Sequence, residues 1–238
     1  KGMVPLLNKA LIERNMDEWK KIGDCRFCFV TGYKAEVIER LGEDCIHNAD
    51  YDQTNMVWSL ACALDYIRSL STGHIFVSYA DIIVHHSQLE KVVNADGSFC
   101  VEVDLCWRDL WSMRMENYLE DVETLIHDGE KIISLGQKPK NEDEVQGQYI
   151  GLMRFDRQLL IRILEDYLAW VGAADDDDSQ LVRKNIYMTE MIQIYIDNGG
   201  VVTPIFISGG WIEVDSVSDL RIYEESVTSA TLLHGLLD

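Results

Sequence analysis

His74-Ile75-Phe76-Val77-Ser78-Tyr79-Ala80 is an apolar run that stops at a carboxylate, Asp81. A run this short reads as a buried strand of a parallel sheet. Trp211-Ile212-Glu213-Val214-Asp215 is a second run that ends in carboxylates. In open α/β sheets, ligands sit just beyond the carboxyl ends of the strands. Two carboxylates on one such edge suit a divalent cation held through oxygen ligands, and a cation there suits a phosphate. Glu213 and Asp215 are two apart, so as strand residues they share a face.

Outward from these runs, the pattern alternates. Leu11, Ile12, Met16, Trp19 and Ile22 recur at helical spacing, so 8–22 reads as an amphipathic helix closed by Gly23. A strand over 27–30 leads through Thr31-Gly32-Tyr33 into a short helix over 35–41 and a strand over 45–47. Thr54 is placed to cap a well-buried helix over 56–70. Past Asp81, a helix over 88–93 and a strand over 99–103 follow. This alternation predicts an α/β fold with a Rossmann-like, mostly parallel mixed sheet flanked by helices. The middle differs: two strand-like runs, 122–126 and 131–135, flank Asp128-Gly129, a strong hairpin signal. With a strand over 148–155, the 104–155 stretch reads as an antiparallel lobe on the sheet edge, suited to acceptor selection, within one domain over 1–238. Helices over 157–171 and 180–197 are separated by Asp175-Asp176-Asp177-Asp178, read as a solvated loop. A strand over 201–207, a helix over 217–225 capped by Ser216, and a last helix over 226–238 complete the expectation.

The chain has 238 residues, 47% of them hydrophobic, enough for a sizeable core. Its formal net charge of -20 argues against nucleic acid, whose phosphates need clustered Lys and Arg. A phosphate ligand must then be held by a metal, by backbone N–H groups or by a few local cations. The six cysteines lie mostly in apolar runs, which suits reduced, buried thiols and a cytoplasmic setting; Cys25 and Cys28 have CxxC spacing and read as core residues. No apolar stretch is long enough to span a membrane, and no signal-peptide pattern is visible.

Several residues invite a role. Lys138-Pro139-Lys140 is one of few cationic clusters, facing either solvent or a phosphate. Asn48, Tyr51, Thr54 and Asn55 cluster at a strand-to-helix crossover, as caps or as contacts to a base or sugar. Trp107, Trp111 and Tyr118, with Asp104, Asp109 and Glu116 nearby, are either lobe packing or a cage for an ammonium group. His85-His86 read as surface or packing histidines.

In order, these segments resemble the nucleotidyltransferases that activate sugar phosphates and phosphocholine. The resemblance rests on Lys1-Gly2-Met3-Val4-Pro5-Leu6 with Leu11-Ile12-Glu13-Arg14, on Val30-Thr31-Gly32-Tyr33-Lys34-Ala35-Glu36, and on Asn48-Ala49-Asp50-Tyr51 with Thr54-Asn55-Met56 and Ser59-Leu60. Tyr79-Ala80-Asp81, Gly147-Gln148-Tyr149-Ile150-Gly151-Leu152 and Trp211-Ile212-Glu213-Val214-Asp215 complete it. It is closest to the phosphocholine and phosphonate cytidylyltransferases and covers almost the whole chain.

The resemblance implies a nucleotide-diphospho-sugar transferase type of fold and a Mg2+-dependent transfer from CTP to a small phosphorylated or phosphonate acceptor. Phosphocholine is the leading acceptor, 2-aminoethylphosphonate the next and a sugar-1-phosphate the third. By the same resemblance Lys1, and near a family position Lys138, contact phosphates as catalytic lysines, while Asp81 and Asp215 hold the metal. Thr31, Gly32, Tyr33, Asn55 and Ser59 bind the nucleotide; Glu213, with Trp107, Trp111 and Tyr118, faces the acceptor. A glycine-rich loop bearing an arginine, on a first strand, is expected ahead of Lys1. A homodimer is an admissible assembly. The rival readings are a nucleotide-sugar-dependent glycosyltransferase, which usually shows an Asp-x-Asp pair absent from Tyr79-Ala80-Asp81, and a non-catalytic nucleotide-binding module.

Overall fold

A tight hairpin, β1 (Pro5–Leu6) and β2 (Lys9–Ala10), leads directly into α1 (Leu11–Lys20). Leu7 and Asn8 make its turn with φ of 49° and 64°, the left-handed pair a two-residue hairpin demands. The chain continues through β3 (Cys28–Thr31), α2 (Ala35–Glu39), β4 (Asp44–His47), α3 (Met56–Cys62), α4 (Leu64–Ser69), β5 (His74–Ser78), β6 (Ile82–Val84), α5 (His86–Val93), β7 (Phe99–Asp104) and α6 (Trp107–Arg114). Next come β8 (Leu125–His127), β9 (Ile132–Leu135), β10 (Gln148–Asp156), α7 (Arg157–Gly172), α8 (Asp177–Lys184) and α9 (Met188–Asp197). β11 (Thr203–Ile207), β12 (Trp211–Glu213) and α10 (Val217–Thr228) close the order. This computed structural model describes residues 1–228; the helix expected over 226–238 falls, beyond Thr228, outside the described residues.

The chain forms two compact units. The first comprises Lys1–Cys25, Phe76–Arg154 and the segment from Val202 onward; the second comprises Arg26–Ile75 and Phe155–Val201. The first is built on a four-stranded sheet in the order β11-β7-β10-β5. β7 and β11 run parallel, with Cys100 opposite Thr203 and Asp104 opposite Ile207. Every residue of β7 is buried, as a strand covered on both faces requires. Asp104, at its end, accepts hydrogen bonds from Cys106 N (2.8 Å), Gly209 N (2.9 Å) and Trp211 Nε1 (2.9 Å). One carboxylate thus fixes the loop that launches β12. The second unit carries the parallel pair β3–β4, packed with α2 and α3, and the helices α4, α7, α8 and α9.

The α/β architecture expected from the alternation is the one found, with local differences. The 56–70 helix is two helices that meet at Ala63. Its cap is Asn55, whose Oδ1 accepts from Met56 N, while Thr54 Oγ1 donates to Asp50 O. The aspartate run begins a helix: Asp176 accepts from Ser179 N at 2.7 Å, and Asp177 and Asp178 sit in the first turn of α8. Carboxylates are favoured there by the free N–H groups and the helix dipole. The Asp128-Gly129 hairpin forms, with Gly129 at φ 97°. β10 lies inside the sheet, between β7 and β5, and not at an edge. Of the cysteines only Cys100 is buried; Cys25 and Cys106 are exposed, because both lie in loops outside the strands that flank them. Among the described residues no helix is long and apolar enough to cross a membrane.

Asp104→Ala removes the acceptor of three donors, one of them the buried Trp211 indole N–H and two of them part-exposed backbone N–H groups; a buried donor left unsatisfied costs about 1–3 kcal/mol. Urea unfolding is expected to show a loss of about 1–3 kcal/mol. A loss below about 1 kcal/mol, an ordinary surface effect, would contradict this role.

Candidate active site

β6 pairs antiparallel with β12, Ile82 opposite Glu213 and Val84 opposite Trp211. The ladder is extended by Val214 N donating to Asp81 O at 2.9 Å. Asp81, whose carbonyl accepts that bond, and Asp215, the residue after its donor, are thereby set side by side. They are not the ends of two parallel strands, as the sequence suggests. Tyr79, two residues upstream, donates its N–H to Gly151 O. Gly151 has φ 85°, and a Cβ there would lie 2.4 Å from the Tyr79 ring. Only glycine gives both the left-handed backbone and the room for that ring.

Lys1 Nζ bonds both carboxylates, Asp215 Oδ1 at 2.7 Å and Asp81 Oδ2 at 3.3 Å. Gly2 makes that approach possible. A Cβ on it would meet Ile12 Cδ1 at 2.5 Å and the Ala80 carbonyl at 3.0 Å, so the chain passes against the residue that precedes Asp81. Burial works against the Lys1 ammonium, but Asp215 and then Asp81 outweigh it and raise its pKa.

Beneath this pair lies Arg114, at the end of α6, its side chain fully buried. Nη1 donates to Glu213 Oε2 at 3.0 Å; Nη2 donates to Asp215 Oδ2 at 2.7 Å and Asp219 Oδ2 at 3.3 Å. The planar guanidinium, with five donors in a fixed fork, is well suited to bridging three carboxylates. Asp219 Oδ2 also accepts from the N–H groups of Asp215 and Ser216, while Ser216 Oγ accepts from Asp219 N. This reciprocal cap starts α10 and pins the Asp215 backbone. Burial favours the neutral acid at Asp215, but Lys1 and Arg114 outweigh it and hold its pKa low. Burial, then Asp215, pushes Glu213 up to about 7 against the pull of Arg114. Arg114 escapes the motif reading, yet Trp107, Leu110, Trp111 and Arg114 recur at helical spacing on the buried face of α6. An arginine in that stripe is a buried, paired arginine.

Asp81 and Asp215 offer only oxygen donors and already converge on one positive atom. That donor set and convergence fit a hard divalent cation such as Mg2+.

The other sequence candidates lie as follows. Trp107 and Trp111 are buried, 0% and 5% exposed, and meet edge to face at 6.3 Å; Tyr118 joins them at 5.9 Å from Trp107. Arg108 sits 4.5 Å over the Trp107 ring and Arg114 5.7 Å over Trp111. One face of each ring is therefore already taken by a cation, and both rings are buried. Lys138 Nζ donates to Glu120 O. In the second unit, buried Asn48 donates to Thr54 Oγ1 (3.0 Å) and Ser59 Oγ (3.1 Å) and takes Asp50 N (3.0 Å). Ser59 and Asn55 are joined in turn, through Ser59 N to Asn55 O at 3.1 Å. Thr31 is reached through Asn48 N, which donates to Thr31 O at 2.8 Å. The Tyr51 side chain covers Gly32, and Tyr33 is 71% exposed.

No family model matches the chain. Over 232 residues, 94% of the chain and 91% of the relative, it is 34% identical to the CTP:phosphoglutamine cytidylyltransferase of Campylobacter jejuni. The chain belongs to the cytidylyltransferase family. Solved structures agree on the fold. The inositol-1-phosphate CTP transferase of T. maritima superposes with a TM-score of 0.68 at 15% identity, over 97% of this chain and 88% of that one. The CTP:phosphocholine cytidylyltransferase of Streptococcus pneumoniae gives 0.65 at 17%, over 95% and 89%. This cytidylyltransferase is thus an enzyme of the nucleotidyltransferase class; the glycosyltransferase and non-catalytic readings fall with that membership.

Two predictions follow from the cluster. Arg114→Ala leaves the buried Asp219 and the half-buried Glu213 and Asp215 without their partner and should cost roughly 3 kcal/mol, read by chemical denaturation; Arg114→Lys should recover only part. Burial, then the Asp215 charge, pushes Glu213 up to about 7 from an ordinary 4.5. Its stabilising contribution is full below the unfolded value and is lost as pH rises through 7. Glu213→Gln should therefore flatten the fall of Tm between about pH 5 and 8 in EDTA. Equal slopes in variant and wild type would remove Glu213 as the cause.

Proposed function

We propose that the chain transfers the cytidylyl group of CTP to a small phosphorylated acceptor, and that this acceptor is a phosphorylated glutamine or a close chemical relative. The observation that carries the acceptor is the 34% identity, along nearly the whole chain, to a CTP:phosphoglutamine cytidylyltransferase. Phosphocholine is disfavoured, since Trp107 and Trp111 are buried with an arginine over one face of each and a quaternary ammonium would need an open face.

An acceptor phosphate oxygen attacks the α-phosphorus of CTP. The new P–O bond forms as the bond to the pyrophosphate oxygen breaks, and the electron pair leaves with pyrophosphate. The acceptor is already anionic near neutral pH, so no general base is needed. The protein's task is to position two anions and offset their charge. Lys1 supplies a raised-pKa ammonium that stays charged, and Arg114 holds Asp215 in place. Asp81 and Asp215 would hold Mg2+, which supplies charge neutralisation on the phosphates. Lys138 is assigned a second phosphate contact. Thr31, Gly32, Tyr33, Asn55 and Ser59 are assigned to the nucleotide, and Glu213 to the acceptor side.

Pyrophosphate release with Mg2+, CTP and each acceptor in turn tests this reading. Phosphorylated glutamine should outpace phosphocholine, 2-aminoethylphosphonate and a sugar-1-phosphate. Release with none of them removes the transferase assignment; release with phosphocholine first removes the acceptor assignment. Asp81→Ala should lower turnover by ~10²-fold or more, as expected for lost preorganised charge stabilisation.

A further inference from the structure

We propose that Glu18, His85 and His86 form a second metal site, for a transition-metal dication of the zinc class. The three residues come from the inner face of α1 and from the turn where β6 enters α5. One ligand atom from each lies within 4.8 Å of the other two. Glu18 is only 5% exposed, and its carboxylate faces the histidines. Oε2 accepts from His86 N at 2.8 Å and lies 2.9 Å from His86 Nδ1. The two imidazoles stand 4.0 Å apart, centroid to centroid.

Two imidazoles and a carboxylate are a donor set that zinc accepts, with a fourth position left for water. Bonds of about 2.0–2.2 Å place such ligands roughly 3.5 Å apart, so modest side-chain rotation closes the site. Ser87 holds His85 Nδ1 through Oγ at 2.7 Å and through its backbone N–H at 3.3 Å, which orients that ring and leaves Nε2 as its metal-binding nitrogen. Nitrogen donors separate this site from the all-oxygen Asp81–Asp215 pair, so the two take different cations. Lys21 is the competitor. Its Nζ donates to Glu18 Oε1 at 2.6 Å and the side chain is 48% exposed, so it balances the carboxylate without metal and is free to swing into solvent. The proposal rests on these residues and not on the cytidylyltransferase reading.

The test titrates the full chain with Co2+ in excess Mg2+, following visible absorption, with Zn2+ calorimetry in parallel. One Co2+ per chain with the intense bands of a four-coordinate, nitrogen-ligated ion is expected, displaced by Zn2+. His85→Ala and Glu18→Gln should each weaken binding by at least about 10-fold, with unchanged far-UV circular dichroism in EDTA. Lys21→Ala, at an exposed residue, should tighten it. Absence of the bands in wild type, or equal affinity in all the variants, overturns the site. If His85→Ala or Glu18→Gln fails to fold, Lys21→Ala decides alone: tighter binding supports the site and unchanged binding overturns it.

Discussion

The hydrogen bond from Val214 N to the Asp81 carbonyl, at the open end of the β6–β12 ladder, fixes the relation on which the candidate site depends. Without it, two carboxylates 134 positions apart in the chain have no reason to face one cation. Its geometry is reinforced from three directions. Gly2 lets Lys1 approach past Ala80, Gly151 seats the Tyr79 ring upstream, and Asp219 holds the Asp215 backbone. Each is a main-chain constraint on where a carboxylate can stand. That is how a scaffold holds charge in place before substrate arrives.

Arg114 supplies the electrostatic half of the arrangement. Concentrating Asp81, Glu213, Asp215 and Asp219 in one partly buried place is costly unless cations are present. Lys1 answers from the exposed side and Arg114 from the buried side. The pKa values diverge accordingly, with Asp215 held low and Glu213 pushed up to about 7. Neighbouring carboxylates are thus pushed in opposite directions, a pattern common at functional sites.

Much of this was legible in the sequence because Asp81, Glu213 and Asp215 interrupt apolar runs, where a carboxylate is conspicuous. The alternation of runs likewise predicts the α/β class. Their antiparallel pairing was not legible, because β6 is three residues long and lies past Asp81, where the apolar run stops. Ala63 and the 185–187 segment split helices whose apolar pattern continues across the break. The aromatic residues Trp107 and Trp111 illustrate another limit. Composition names the rings, but only packing shows that Arg108 and Arg114 cover them. Asn55 and Ser59 are similar: the same side chains serve as cap and loop brace, so residue type alone left both uses open.

The central claim is that Asp81 and Asp215 act as one unit around a single cation. A double-mutant cycle on turnover, with Asp81→Asn, Asp215→Asn and the pair, measures it directly. Residues that serve one function lose it together, so the double variant should be scarcely slower than the worse single variant. Losses that multiply would show two independent contributions and contradict the account.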